Sequence, residues 1–203
     1  MVRRDLAPRG ITDRRVLAAM QHVPREFFVG PELTDRAYAD RPLAIGSGQT
    51  ISQPYMVALM CQAARLTRRS RVLEVGTGSG YHATVLAHLV RHVWTMERIP
   101  ELAATARRRL AALDVRNVSV LVGDGTRGYP PSAPYDAILV AAATRAPPPA
   151  LVAQLDLGGR AIVPVGPPDE QRLLALERTA GGIVCHDLGG CVFVPLVPDD
   201  PRT

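Results

Sequence analysis

The chain has 203 residues, a net charge of +5 and a pI near 9.6, with all 24 basic residues arginine, and is long enough to form a single buried core. No apolar run nears the roughly 18 residues of a membrane helix, MVRRDLAPRG lacks the apolar segment of a secretory signal, and Cys61, Cys185 and Cys191 are too scattered for a disulfide framework or a zinc pattern. The expectation is a cytoplasmic protein with reduced thiols, no membrane partner and, because the arginine clusters at 68–71 and 107–109 lack interleaved aromatics for stacking strands, no nucleic-acid partner.

Val16, Leu17, Met20 and Val23 recur at helical spacing, which predicts an amphipathic helix over Thr12 to Val23 capped by Thr12 or Asp13. A Pro- and Gly-punctuated connection follows, and GSGQTISQP leads into a second helix from Tyr55 to about Leu66, with Pro54 suited to its first turn. From Ser70 onward apolar strands alternate with helices. Strands are expected at Arg71 to Val75, His92 to Met96, Val118 to Val122, Asp136 to Ala141 and Arg160 to Pro164, with helices at His82 to Leu89 and Pro100 to Leu113. Arg107 to Arg109 lie late in that last helix, where cations complement the C-terminal dipole. APPP at Ala146 to Pro149 reads as a helix start or stiff turn. Three further strands, Leu173 to Arg178, Gly182 to Leu188 and Cys191 to Val194, extend the sheet. The fold class is α/β: a Rossmann-like, mostly parallel sheet with helices on both faces, in one domain. Its zones are a helical N-terminal region (1–69), a nucleotide-binding core (70–166) and C-terminal strands (167–203).

RVLEVGTGSG, Arg71 to Gly80, joins an apolar strand to a glycine turn that opens a helix. Gly76, Gly78 and Gly80 permit a tight turn and close approach of the backbone to a ligand, and the turn is expected to aim unpaired N–H groups above the sheet edge. GxGxG serves both dinucleotide enzymes and S-adenosylmethionine methyltransferases. Glu97 stands about 20 residues beyond Gly76, at the end of the next strand, where a carboxylate accepts ribose hydroxyls. Asp124 and Gly125 follow the third strand and are placed to edge an adenine. GxGxG in place of GxGxxG favours S-adenosylmethionine over NAD. His88 and His92 are four apart, but Leu89 stands where a zincin places its glutamate, so no metal is expected. His82 reads as a helix-face or pocket-wall residue.

GQTISQPYMVALM, Gly48 to Met60, is not needed to build such a sheet. It resembles the signature of protein-L-isoaspartate O-methyltransferases. RVLEVGTGSGYHATVLA, GDG at Gly123 to Gly125, APYDAILV at Ala133 to Val140, LGGRAIVPVG at Leu157 to Gly166 and FVPL at Phe193 to Leu196 occur in that family's order. ITDRRVLAAMQHVPREFFV and AYADRPLAIG also look like it, so the resemblance covers nearly the whole chain. It implies methyl transfer from S-adenosylmethionine, leaving S-adenosylhomocysteine, to the free α-carboxylate of an isoaspartyl residue in damaged peptides and proteins; the ester then cyclises to a succinimide. A monomer is expected. Carried over by position, Glu74, Gly76, Thr77, Gly78, Ser79, Gly80 and Glu97 belong to the cofactor pocket, Asp124 and Gly125 to its adenine edge, and Gln49, Thr50, Ile51 and Ser52 to the loop over the reacting end. Ser52 maps to the proposed active-site serine, and Val194 and Leu196 to backbone positions that hold substrate.

A carboxylate is already ionised at neutral pH, so the acceptor needs no strong base, and Ser52 is expected to orient it by a hydrogen bond without acting as a nucleophile. Without the family motif, Ser52 reads first as a turn or helix cap before Pro54. Ser47 stands where His or Tyr often precedes GQTIS, His82 where Gln is common, Val192 where Arg often precedes FVPL, and ATRAP at Ala143 to Pro147 departs from the usual loop. Two alternatives fit nearly the same residues: a maturation enzyme forming an aspartimide from a normal Asp, and a module that binds cofactor without catalysis.

Overall fold

The computed structural model describes residues 1–198. Two short helical turns at the N-terminus lead to helix α1, Arg14–His22, and the cap is Asp13, whose carboxylate accepts the Arg15 N–H at 2.8 Å. Its buried residues Val16, Ala19 and Met20 lie on one side of the helix. A single-turn helix, Arg25–Phe28, and a longer 3-10 stretch, Pro31–Arg36, follow.

The connection before the second helix contains a hairpin that periodicity does not announce. Strands β1, Leu43–Gly46, and β2, Gln49–Ile51, pair antiparallel. They turn through Gly46, Ser47 and Gly48 with φ of 92°, 52° and 68°. A Ser-Gly pair able to hold positive φ is the chemistry of a tight hairpin turn, so three of the five GQTIS residues are strand. Helix α2, Pro54–Ala63, then starts with Pro54 in its first turn.

The core follows as β3 Arg71–Val75, α3 Tyr81–Ala87, β4 His92–Glu97, α4 Pro100–Ala112, β5 Val118–Val122, β6 Tyr135–Val140, the one-turn α5 Pro149–Val152, β7 Leu155–Val165, β8 Gln171–Thr179 and β9 Gly182–Cys191. The seven-stranded sheet has the order β5-β4-β3-β6-β7-β8-β9. Its first five strands are parallel, and β8 and β9 close it as antiparallel neighbours. The chain winds from β3 towards β5 and then crosses back to β6, so the crevice between β3 and β6 opens at their C-terminal ends.

Two expected boundaries move for local reasons. β7 begins at Leu155, before the expected Arg160, because Gly158 and Gly159, which look like a turn, lie within the strand beside a register shift against β6. No separate strand forms over Cys191 to Val194. β9 runs unbroken to Cys191, and beyond it the Gln171 side-chain amide takes both backbone groups of Phe193, accepting its N–H at 2.7 Å and donating to its C=O at 3.0 Å. A single parallel bridge then joins Pro195 to Ala143.

Alternation along the strands divides the core between two faces. Val72, Val93, Ala137, Leu139 and Ile162 pack with Leu6, Ile11, Met20, Met60 and Val85, so the N-terminal helices share the core of the sheet. Leu73, Val75, Ile138, Val140, Ala161 and Val163 pack on the other face with Leu151 of α5. This anchoring fixes the ends of β3, β4 and β6 from which the site is built.

Candidate active site

A cavity opens at those strand ends, with Gly76, Thr77, Gly78 and Ser79 on one side and Gln49, Thr50, Ile51 and Ser52 on the other. Gly76 and Gly78 hold φ of 95° and 52°. A Cβ at Gly76 would lie 3.3 Å from the Ala141 side chain, and one at Gly78 would lie 3.3 Å from Ile45 Cδ1, so the β1–β2 hairpin closes directly over the turn. The amides of the turn are largely engaged, contrary to the sequence expectation. Gly76 and Thr77 donate to the Met96 carbonyl, Gly78 to Glu97 Oε2 at 2.8 Å, and Gly80 to the Thr77 carbonyl. The turn therefore offers close approach more than free N–H donors. Glu97, nearly buried on the cavity wall, also accepts the Ile99 N–H at 3.0 Å through Oε1. Each of its oxygens thus spends one acceptor site on backbone and retains another for a hydroxyl.

A second cavity adjoins the first, and Thr50, Ser52, Ala141 and Val194 line both. Its far side carries Arg9, Tyr55, Glu170 and Arg172, a mixed polar wall. Ser52 is half-buried in the partition, and its carbonyl accepts from Arg25 Nη2 at 2.8 Å. The Pro195 bridge brings the C-terminal segment over the end of β6: Ala143 donates to the Val194 carbonyl and accepts from the Leu196 N–H, both at 2.8 Å. The bridge uses the Val194 C=O and the Leu196 N–H.

The family model for protein-L-isoaspartate(D-aspartate) O-methyltransferase matches residues 1–200. The chain belongs to the protein-L-isoaspartate O-methyltransferase family. A relative from Gloeobacter violaceus carrying the family name is 52% identical over 203 residues, covering 100% of this chain and 99% of its own. Among solved structures, a protein-L-isoaspartate O-methyltransferase superposes with a TM-score of 0.84 at 29% identity, over 93% of this chain and 62% of that longer one. A Plasmodium falciparum chain assigned to the same family, solved in complex with S-adenosyl-L-homocysteine, has a TM-score of 0.83 at 26% identity and covers 97% and 96% of the two chains.

Within this isoaspartate methyltransferase framework, three residues expected in the cofactor pocket lie off the cavity wall. Gly80 is packed against Ala106, where an added Cβ would come within 3.3 Å of that residue's Cβ. Asp124 caps the short turn Gly125–Arg127, its Oδ1 accepting the Thr126 N–H at 2.8 Å and the Thr126 hydroxyl at 2.6 Å, and the wall at this end is its neighbour Gly125. Glu74 is fully buried and is not part of the cavity wall. It accepts the Thr95 hydroxyl at 2.5 Å, and Thr95 in turn lies 2.6 Å from Thr77 Oγ1.

His82 lines the cavity as a wall residue, with Nδ1 3.3 Å from Glu74 Oε1 and Nε2 3.4 Å from the Cys61 thiol. The Glu74 approach is off hydrogen-bond alignment, so Oε1 lacks a hydrogen-bond partner. Burial is the main cause of both titration shifts: the Glu74 carboxyl is pushed up to about 8, with Glu97 adding repulsion, and His82 is pulled down to about 4. His88 terminates α3 while His92 begins β4, so the pair does not share a helix face. Sequence reasoning missed Tyr81, Met96 and Ile99 on the wall, because apolar and aromatic wall residues carry the same signal as core, and the buried Arg25 behind Ser52, because an arginine reads as a solvated surface residue.

This wall suits a nucleoside. The close backbone at Gly76 and Gly78, the hydroxyl acceptors of Glu97 and the tight Gly125, where a Cβ would lie 2.4 Å from Val75 Cγ1, leave room for a flat base and a ribose along one wall.

Proposed function

We propose that the two cavities divide one reaction between them, with the cofactor in the glycine-lined cavity, the peptide in the other, and methyl transfer occurring at the partition. The chain is an S-adenosylmethionine-dependent protein-L-isoaspartate O-methyltransferase, and the bound cofactor supplies an electrophilic methyl on a sulfonium. The residues then have positioning roles. Glu97 accepts the ribose hydroxyls, Gly76, Thr77, Gly78 and Ser79 present a close backbone wall, and Gly125, held by the Asp124 cap, flanks the base. Gln49 to Ser52 cover the reacting end. The Ser52 hydroxyl donates to one oxygen of the acceptor carboxylate and leaves the other oriented for attack.

The acceptor is ionised at neutral pH, so no side chain must remove a proton. Enclosure between the hairpin and the C-terminal segment keeps water from competing for the methyl. The Val194 N–H and the Leu196 C=O, the groups their bridge to Ala143 does not use, recognise the peptide backbone. Such contacts tolerate many flanking sequences, as repair of damaged proteins requires. In this reading the protein works as a single-domain monomer, with every residue named above drawn from the one chain. Among the described residues no helix is long and apolar enough to cross a membrane, and a cytoplasmic enzyme acting on peptides and not on nucleic acid fits this arrangement.

The observation that carries this reading is Ser52 on a wall shared by both cavities. Matched peptides containing L-isoaspartate, L-aspartate or D-aspartate, in several unrelated contexts, provide the test. Preference for L-isoaspartate in every flexible context is expected. Methylation of L-aspartate in one sequence alone would instead point to a dedicated maturation enzyme, and binding of cofactor with no transfer to any peptide would reject catalysis.

A further inference from the structure

Arg25 is a buried cation with no ion pair to a carboxylate among the described residues. It follows Pro24 in the turn Arg25–Phe28 and is 0% exposed. Nε donates to the Ala37 carbonyl at 2.7 Å and Nη2 to the Ser52 carbonyl at 2.8 Å, while Nη1 is buried with no hydrogen-bond partner. The guanidinium lies 4.8 Å from the centroid of the Tyr81 ring, another residue of the cofactor cavity. Among the described residues its electrostatic neighbours are Tyr81, Asp40 and Tyr38. Asp40, the carboxylate of that set, is already bound to Arg9, to the Gln53 side chain and to the Tyr55 N–H. Two carbonyls and Tyr81 stabilise the guanidinium but leave Nη1 unmatched and do not neutralise the charge, and burying an uncompensated charge is costly. A guanidinium keeps its proton under these conditions, so the positive potential persists behind Ser52.

We propose that Arg25 is a positioning residue for the methyl acceptor: it fixes Ser52 through its carbonyl and places an uncompensated positive charge behind the site where the substrate carboxylate sits. The proposal rests on the reading that Ser52 orients that carboxylate. Its energetic consequence has a definite direction. Attack on a sulfonium turns the carboxylate into a neutral ester, so the attraction is present in the bound reactant and fades as the bond forms. The charge therefore acts mainly on substrate binding, and the hold on the Ser52 carbonyl acts on turnover.

Arg25→Lys keeps the charge, whereas Arg25→Gln keeps a donor and loses the charge. Each is compared with the wild type for KM and kcat on an isoaspartyl peptide, for affinity towards S-adenosylhomocysteine, and for competitive inhibition by a matched peptide whose α-carboxylate is replaced by its amide. Folded Arg25→Gln is expected to raise the peptide KM at least tenfold and to lose most of the preference for acid over amide, with S-adenosylhomocysteine affinity within about twofold of wild type. Arg25→Lys should restore much of both. A general structural role would shift the two variants alike, and that result, or an unchanged KM in folded Arg25→Gln, overturns the proposal. If Arg25→Gln does not fold, Arg25→Lys must retain the acid-over-amide preference of the wild type; a wild type that binds the amide as well as the acid, or a folded Arg25→Lys that loses the preference, overturns it too. A wild type that methylates no isoaspartyl peptide refutes the functional reading itself, a separate outcome.

Discussion

Glu97 and Ser52 are separable at the level of single atoms. Glu97 ties the Gly78 and Ile99 amides to the cavity wall with bonds of 2.8 and 3.0 Å, and its remaining acceptor sites are those proposed for the ribose hydroxyls. Glu97→Ala removes charge-assisted bonds worth about 1.5 to 3 kcal/mol, which predicts a loss of roughly 10- to 150-fold in S-adenosylhomocysteine affinity by calorimetry. A folded variant with wild-type affinity would place the ribose elsewhere. Ser52 engages the protein through its carbonyl, and its hydroxyl is the group proposed to hold the substrate. Ser52→Ala should therefore lower kcat at saturating peptide by about tenfold or more, the effect of losing one orienting contact of about 1.4 kcal/mol, while S-adenosylhomocysteine binds as before. Equal turnover in the folded variant would remove Ser52 from the reaction.

At the scale of elements, the wall of the peptide cavity depends on how α2 begins. Gln53 at its N-cap makes no capping bond of its own, and Asp40, thirteen residues earlier than Gln53, supplies one by accepting the Tyr55 N–H at 2.9 Å through Oδ1 and the Gln53 side chain at 2.7 Å through Oδ2. Arg9 completes the group, stacked 3.5 Å from the Tyr55 ring centroid. Asp40→Ala is expected to lower stability by about 1 kcal/mol, the scale of a lost helix cap, and to raise the peptide KM while leaving cofactor affinity intact. Urea denaturation and steady-state kinetics check both parts; a weakened cofactor with an unchanged peptide KM would contradict it. This long-range cap is also where sequence reading runs out. The five parallel strands and the helices at 81–87 and 100–112 are legible because apolar runs and helical periods are local, and the glycine turn because φ near 52° at Gly78 restricts the residue type. The hairpin at 43–51 was hidden by its short strands, and the Phe193 pairing by the use of a glutamine side chain in place of a backbone. Ser52 was legible only through family resemblance, since alone it reads as a helix cap. Asp124 shows that one pattern can carry two roles: it caps the turn Gly125–Arg127 in the structure at a position whose pattern suggests a ligand.

Glu74 and His82, buried below the active site, couple the stability of the whole molecule to pH. Unfolded, Glu74 releases its proton near 4.5 and His82 near 6.5; folded, burial moves these to about 8 and about 4. Between about 4.5 and 6.5 the pair holds one proton in either state, so its contributions to the slope cancel. Above about 6.5 the unfolded pair holds none, while the folded pair keeps one until about 8. Folding then takes up a proton, and stability falls as pH rises through that window. The result is the same whether the proton resides on Glu74 or His82, because linkage counts bound protons. The pair's slope approaches 1.4 kcal/mol per pH unit at most. Glu74→Gln, similar in shape but without the titrating carboxyl, should remove this component. Urea unfolding of both proteins at pH 6.5, 7.2 and 8, the window set by these two residues, compares the slopes directly. The wild type is expected to lose stability towards pH 8 more steeply than Glu74→Gln. Parallel profiles would mean that the buried carboxyl is already ionised at neutral pH, with the Thr95 hydroxyl and a protonated His82 together holding the charge that burial opposes.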